Sequence, residues 1–140
     1  MAQTDSPLSQ GKCLCGAVSY SFPGAPLLTA VCHCRHCQRQ SGSAFSIVAA
    51  VPRAGFELQG ETRIFFDTGD SGRPVERHFC PDCGSPIFSA ITPMPDMVLI
   101  KAGTLDTVSD LTPTVEVFCE CALPFQPALH GTERHQRSNI

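Results

Sequence analysis

The spacing of the cysteines constrains this chain more than any other feature. Seven of its nine cysteines fall into three tight clusters: Cys13-Leu14-Cys15, Cys32-His33-Cys34-Arg35-His36-Cys37 and Cys80-Pro81-Asp82-Cys83. Cys-x-Cys and Cys-x-x-Cys knuckles aim two thiolates at one ion, and zinc prefers four such ligands in a tetrahedron. Clusters of two, three and two cannot all close into four-ligand sites. The two pairs complete one site, and three cysteines remain. A four-cysteine site is ordinarily structural, whereas three ligands leave a position open to water or substrate. The arithmetic points to two zinc ions per chain, one for the fold and one for chemistry.

Composition sets the surroundings. With 140 residues the chain is expected to form one domain with a modest core. Ten basic against 13 acidic residues give a net charge of −3, which argues against a nucleic-acid partner. Met1 to Gln10 is polar and lacks the apolar stretch of a signal peptide. The longest apolar runs, such as Phe45 to Pro52, are far too short to span a membrane. The expected location is cytoplasmic, where thiols stay reduced and knuckle spacing means metal rather than disulfide.

Twelve prolines and eleven glycines break the chain into short elements. Strands are expected at Ala17–Phe22, Leu27–Val31, Ala44–Val51, Phe56–Leu58, Arg63–Asp67, Pro74–Phe79, Ser85–Ile91, Met97–Ala102 and Thr114–Cys121. The best helix candidate is Arg35–Ser41, closed by Gly42, with a second helical turn near Asp106–Leu111. The expected class is mainly β, antiparallel, with short helical turns. Residues 1–10 read as a flexible arm, 11–128 as the zinc-binding domain and 129–140 as a frayed tail.

Each cluster has its own character. Cys13 and Cys15 would share one face of an extended strand, with Gly16 permitting a tight turn. Cys80 and Cys83, followed by Gly84, match a zinc-ribbon knuckle; a thioredoxin-like redox pair would need a βαβ setting that this chain lacks. Cys32, Cys34 and Cys37 can grip one ion from a loop and the first turn of a helix. That site stays open unless a fourth ligand closes it, for which His33, His36, Cys119 and Cys121 are the candidates. Alternation over Thr114–Cys121 places Val115, Val117, Cys119 and Cys121 on one face as core residues, and Glu116 and Glu120 on the other. His33 and His36 read as loop residues facing solvent, with an acid–base role as the alternative. Nucleotide-binding glycine loops and a nucleophile elbow are both absent from the sequence.

Three segments taken in order, Gly11–Val18, Cys32–Phe45 and Phe79–Ser85, resemble the glutathione-dependent formaldehyde-activating enzyme family, which includes the domain of centromere protein V. The resemblance spans about residues 11 to 125. It implies a zinc-bearing antiparallel β-tent, with Cys13, Cys15, Cys80 and Cys83 on the structural zinc. It also implies that Cys32, Cys34 and Cys37 form a catalytic-type site. The implied reaction joins glutathione to formaldehyde and is classed as a carbon–sulfur lyase in reverse. This chain departs from the pattern at Pro124-Phe125, where members often carry Trp, and in having the Cys119/Cys121 pair.

The function expected is thus that of a zinc-dependent carbon–sulfur lyase-type enzyme joining a small, glutathione-like thiol to an aldehyde such as formaldehyde. Three thiolates on a dication leave a negative centre, better suited to orienting a thiol than to strong carbonyl activation. Arg35, Arg39 and Arg77 are the nearest cationic partners for glutathione's carboxylates. The alternative is a non-catalytic, zinc-stabilised protein-binding module, whose mark would be four-ligand closure of both sites. Neither a membrane nor nucleic acid is expected as a partner, and the pattern leaves the oligomeric state open.

Overall fold

In the computed structural model, residues 7–138 are described. The chain runs β1 (Leu8–Lys12), β2 (Ser19–Pro23), β3 (Leu28–Cys32), α1 (Arg35–Ser41), β4 (Ser46–Pro52), β5 (Glu57–Gln59) and β6 (Arg63–Thr68). It continues through β7 (Pro74–Phe79), β8 (Pro86–Ile91), β9 (Met97–Lys101), β10 (Val115–Val117) and β11 (Glu133–Arg134), with 3₁₀ turns at Ala102–Thr104 and Cys119–Cys121. Strands β1, β2 and β5 form a small antiparallel sheet. The other eight form a large sheet in the order β11-β10-β3-β4-β9-β8-β7-β6. The mainly β class holds, but the large sheet is mixed, because β10 runs parallel to both β3 and β11.

The main core lies between the sheets. Val18, Tyr20 and Phe22 from the small-sheet side pack against Ala49, Val51, Val98, Ile100 and Phe88 of the large sheet. Strand alternation sends the intervening residues to the opposite face. Ala30 pairs with Val48, Val48 with Lys101, Ala50 with Leu99, and Leu99 with Ser89. Ser89 in turn pairs with Arg77. This second face lines a cavity instead of a second core. Among the described residues no helix is long and apolar enough to cross a membrane.

Helix α1 has the expected bounds. Cys34 caps its N-terminus, and Gly42 ends it at φ 69°, donating its N–H to the Gln38 carbonyl at 2.8 Å. A left-handed terminal residue is what glycine tolerates best. The helical turn expected near Asp106–Leu111 is displaced: the 3₁₀ turn lies at Ala102–Thr104, and Leu111 N–H closes only a turn on the Val108 carbonyl.

The expected strand Thr114–Cys121 stops at Val117. Phe118 takes φ 56°, and Cys119–Cys121 coil into a 3₁₀ turn. Alternation therefore does not carry Cys119 and Cys121 onto the face of Val115 and Val117. Glu116, expected to face outward, is fully buried. At the chain ends, β1 begins at Leu8 and pairs along its whole length with β2, while β11 pairs with β10. Both strands are polar and short, so apolar periodicity does not reveal them. The remainder of the expected arm and tail, residues 1–6 and 139–140, lies outside the described residues.

Candidate metal and thiol sites

Two hairpin-like turns bring four cysteines together. After β1, Gly16 N–H bonds the Cys13 carbonyl at 3.2 Å, and Val18 N–H reaches the Cys13 sulfur at 3.3 Å. After β7, Gly84, at φ 81°, donates its N–H to the Cys80 carbonyl at 2.9 Å. Ser85 stitches the turns to one another, accepting Leu14 N–H at 3.1 Å and lying 3.2 Å from the Cys83 sulfur. The metal-capable atoms of Cys13, Cys15, Cys80 and Cys83 all lie within 4.8 Å of one another.

The spacing fits a metal. Sγ of Cys15 is 3.7 Å from that of Cys13 and 3.8 Å from that of Cys80. Zinc–sulfur arms of about 2.3 Å in a tetrahedron require edges of about 3.8 Å. These separations are far beyond a disulfide, and all nine cysteines are free. Hydrogen bonds from Ser85 lead in drawing the Cys83 thiol down to about 5, which favours the ligating form.

Cys32, Cys34 and Cys37 form the second group, again with sulfurs within 4.8 Å. The end of β3 supplies Cys32, the helix cap Cys34, and the first turn of α1 Cys37, whose N–H bonds the Cys34 sulfur at 3.2 Å. Among the described residues no further Cys, His, Asp or Glu donor joins the three. They sit on a cavity of about 200 Å³ on the second face of the large sheet. Phe118, turned by its left-handed backbone, packs against Cys34 and Cys37. Backbone strain of this kind commonly marks a functional site.

Charge is concentrated at one end of this cavity. Buried Arg77 donates Nε–H to Asp67 at 2.8 Å, and buried Lys101 donates Nζ–H to Ser46 Oγ at 2.8 Å. Hydrogen bonds from the Cys32 and Cys34 sulfurs drive the Cys37 thiol down to about 2, helped by the Lys101 and Arg77 charges. Hydrogen bonds with Cys34 and Cys37, together with burial, push Cys32 up. The Lys101 and Arg77 charges thus favour the thiolate form at Cys37.

The histidines differ from expectation. His33 is buried at 1% exposure, its Nε2 2.8 Å from Glu116 Oε1. Glu116 also accepts from Arg134, from Leu129 N–H and from Thr132 Oγ1. Burial alone would raise the Glu116 carboxyl, but Thr132, His33, Leu129 and Arg134 outweigh it and hold it near about 2. Cys119 lies against this pair, with its thiol toward the Glu116 carbonyl at 3.7 Å. His36 is half-buried between Asp67, at 2.9 Å, and Asp70, at 3.1 Å. Of the four candidates for closing the triad, then, His33 and Cys119 gather at Glu116, His36 at two aspartates, and Cys121, in the 3₁₀ turn Cys119–Cys121, stays outside the group of three sulfurs. Sequence reasoning missed Lys101, Asp67 and Glu116. Lys101 did carry a signal, a lone cation at the end of the apolar strand Met97–Lys101.

Comparison with known proteins agrees with this architecture. The family model described as "Glutathione-dependent formaldehyde-activating enzyme" matches residues 8–121. Two proteins provisionally named for that activity are similar. That of Emericella nidulans is 26% identical over 98 residues, covering 62% of this chain and 49% of its own length. That of Penicillium rubens is 35% identical over 60 residues, covering 43% of this chain and 31% of its own. The chain thus spans about half or less of the length of these relatives. A crystal structure of a Rhodobacter sphaeroides protein superposes with a TM-score of 0.54 at 19% identity, over 72% of this chain and 91% of that one, a likeness of fold. With the family pattern matched from β1 to the 3₁₀ turn after β10, the chain belongs to the glutathione-dependent formaldehyde-activating enzyme family.

Proposed function

We propose that this chain is a zinc-dependent, carbon–sulfur lyase-type enzyme that joins a small thiol to an aldehyde and, in reverse, releases both. The observation that carries this reading is the Cys32, Cys34 and Cys37 group facing a cavity with no fourth donor joining it among the described residues. The names of the relatives supply glutathione and formaldehyde as the reference pair. A zinc ion held by the three sulfurs would keep a substrate thiol ionised at neutral pH, where a free thiol of pKa about 8.5 is mostly protonated.

The chain's own residues set the rest of the environment. Arg77 and Lys101 place two cations against three thiolates, which offsets the excess negative charge expected from the ligand set alone. Asp67 orients Arg77, and Ser46 orients Lys101. The apolar walls keep bulk water from the aldehyde, and confinement of both reactants lowers the entropic part of the barrier. In the joining direction the sulfur bonds to the carbonyl carbon, the C=O π pair moves to oxygen, and the thiol proton ends on that oxygen. No oxidant or reductant is required.

Cys13, Cys15, Cys80 and Cys83 would hold a second, structural zinc between the β1–β2 and β7–β8 turns. Nine free thiols suit a reducing compartment such as the cytoplasm. Exchange NMR of glutathione with formaldehyde tests the reading. The zinc-loaded protein is expected to speed interchange between free glutathione and its S-hydroxymethyl adduct, and Cys34→Ser to abolish that effect with near-UV dichroism unchanged. Interchange no faster than without protein, for every thiol tried, would leave a zinc-stabilised binding module.

A further inference from the structure

The cavity above the triad is walled by hydrocarbon. Strand β4 is apolar on both faces: Ala49 and Val51 enter the main core, while Val48 and Ala50 face the cavity. Their neighbours there, Ala30 and Leu99, are also apolar. A strand apolar on both faces needs cover on both. On this side what faces it is an open volume of about 200 Å³. An apolar cavity of about 150 Å³ stays dry and binds benzene.

That volume and lining suit neither reference substrate. Formaldehyde has a single carbon and would leave most of the space unfilled. Glutathione brings two carboxylates and an ammonium. Of the cations lining the cavity, Arg77 is bound to Asp67 and Lys101 to Ser46, both beside the thiols, so only Arg73 stands at the exposed rim. Arg35 and Arg39, the other partners expected for glutathione, line an adjoining cleft with His36 and Phe65.

We infer that the thiol taken at this site carries a compact apolar substituent, of phenylmethyl or short branched-alkyl size, in place of a charged tripeptide. The inference rests on the thiol–aldehyde reading of the same site and names its substrate class. Sulfur points to the triad, the apolar substituent lies on the Ala30, Val48 and Leu99 face, and the aldehyde adds as before with no change in redox state.

Calorimetric titration of the zinc-loaded chain with phenylmethanethiol and with glutathione tests this, with protection of Cys32, Cys34 and Cys37 from iodoacetamide reporting the site. Phenylmethanethiol is expected to bind at least about tenfold more tightly than glutathione and to protect the triad, since each methylene-sized apolar match is worth about tenfold or more. Ala30→Leu, which extends a side chain into the cavity, is expected to weaken phenylmethanethiol by a similar factor and leave glutathione unaffected. Val48→Ser provides the same comparison by making the wall polar. Glutathione binding as tightly or more tightly, or a triad unprotected by phenylmethanethiol, overturns the inference. Adduct formation with formaldehyde separates the two levels. Binding and protection by phenylmethanethiol without faster adduct formation keep the inference and reject the lyase reading. Faster adduct formation with glutathione, and no binding of phenylmethanethiol, does the opposite.

Discussion

The four-cysteine and three-cysteine groups use the same side chain for different ends. Cys13, Cys15, Cys80 and Cys83 come from turns 65 or more residues apart and fasten the small sheet to the large one. Leu14 N–H to Ser85 Oγ ties the two turns to each other, and farther along the small sheet Tyr20 Oη meets Thr104 Oγ1 at 2.7 Å and Asp106 N–H bonds the Gln10 carbonyl at 2.9 Å. Cys32, Cys34 and Cys37 come from six consecutive residues, and protein groups already hold their loop. His33 N–H bonds the Val117 carbonyl at 3.0 Å, Gln38 bonds the His33 and Cys121 carbonyls, and His33 reaches Glu116. With zinc bound as proposed, the first group would tie the fold to metal, whereas the second would present thiols to a cavity from a loop that protein groups also hold.

The sharpest way to break this contrast is to remove one sulfur from the first group. Structural zinc contributes on the order of 10 kcal/mol in small domains, comparable with the whole stability of a typical protein. Cys80→Ser is expected to give insoluble or molten protein. A Cys80→Ser chain with native near-UV dichroism and an unchanged melting temperature would show that the junction does not need the ion.

The next effect belongs to the frame of the triad. Glu116 is fully buried, with His33, Arg134, Thr132 and Leu129 N–H around it. Taking one partner out of a buried charged network costs about 3 kcal/mol. Glu116→Gln is expected to lower the urea midpoint accordingly at pH 7. The sign with pH follows from a folded pKa of about 2, below the ordinary value of 4.5. The carboxylate's contribution is fully present above about 4.5 and is lost as pH falls toward about 2. The gap between wild type and Glu116→Gln should therefore shrink on acidification below that upper value. A gap that stays constant or widens would assign the effect to packing instead of charge.

These two networks were unequally visible in the sequence. Local spacing encodes each cysteine knuckle and helix α1, because the sulfurs of a knuckle lie a few residues apart and Gly42 and Gly84 sit at left-handed positions, while the count of two, three and two joins the distant pairs. The His33–Glu116 pair spans 83 residues and exists because β10 lies parallel beside β3. Nothing local distinguishes a buried glutamate in Val115–Val117 from an exposed one, since alternation is equally consistent with either. The place of Lys101 is hidden for the same reason, and Arg77 is legible only as a cation near the third cluster. They face the cavity only once β4, β9, β8 and β7 are in register. The apolar run of β4 was legible as a strand, but not that one of its faces would line a cavity.

A smaller effect separates the two groups by how firmly they would keep an ion. Three ligands from one segment restrain a metal less than four from two distant turns. Mild chelation is expected to remove about one zinc per chain from the triad while the far-UV and near-UV spectra persist. Cys34→Ser should contain one zinc fewer from the outset, with the fold intact. Loss of both ions together, or retention of the triad ion after the fold has melted, would reverse the assignment of roles.

The smallest effect decides whether the triad is a group of three or of four. Cys119 is buried against His33 and Glu116, away from the three sulfurs, and burial pushes its thiol up toward the neutral form. Neutral, buried thiols behave as small apolar groups. Cys119→Ala is therefore expected to cost only about 1 kcal/mol, as a typical single substitution does. Its zinc content should match that of the wild type, and iodoacetamide should modify the zinc-free triad at an unchanged rate. Cys121→Ala, in the same 3₁₀ turn but half-buried, should cost less still. If either variant loses one zinc, that cysteine reaches the triad in solution and closes it. The two metal groups would then both be structural, and the contrast between them would reduce to where in the fold each one sits.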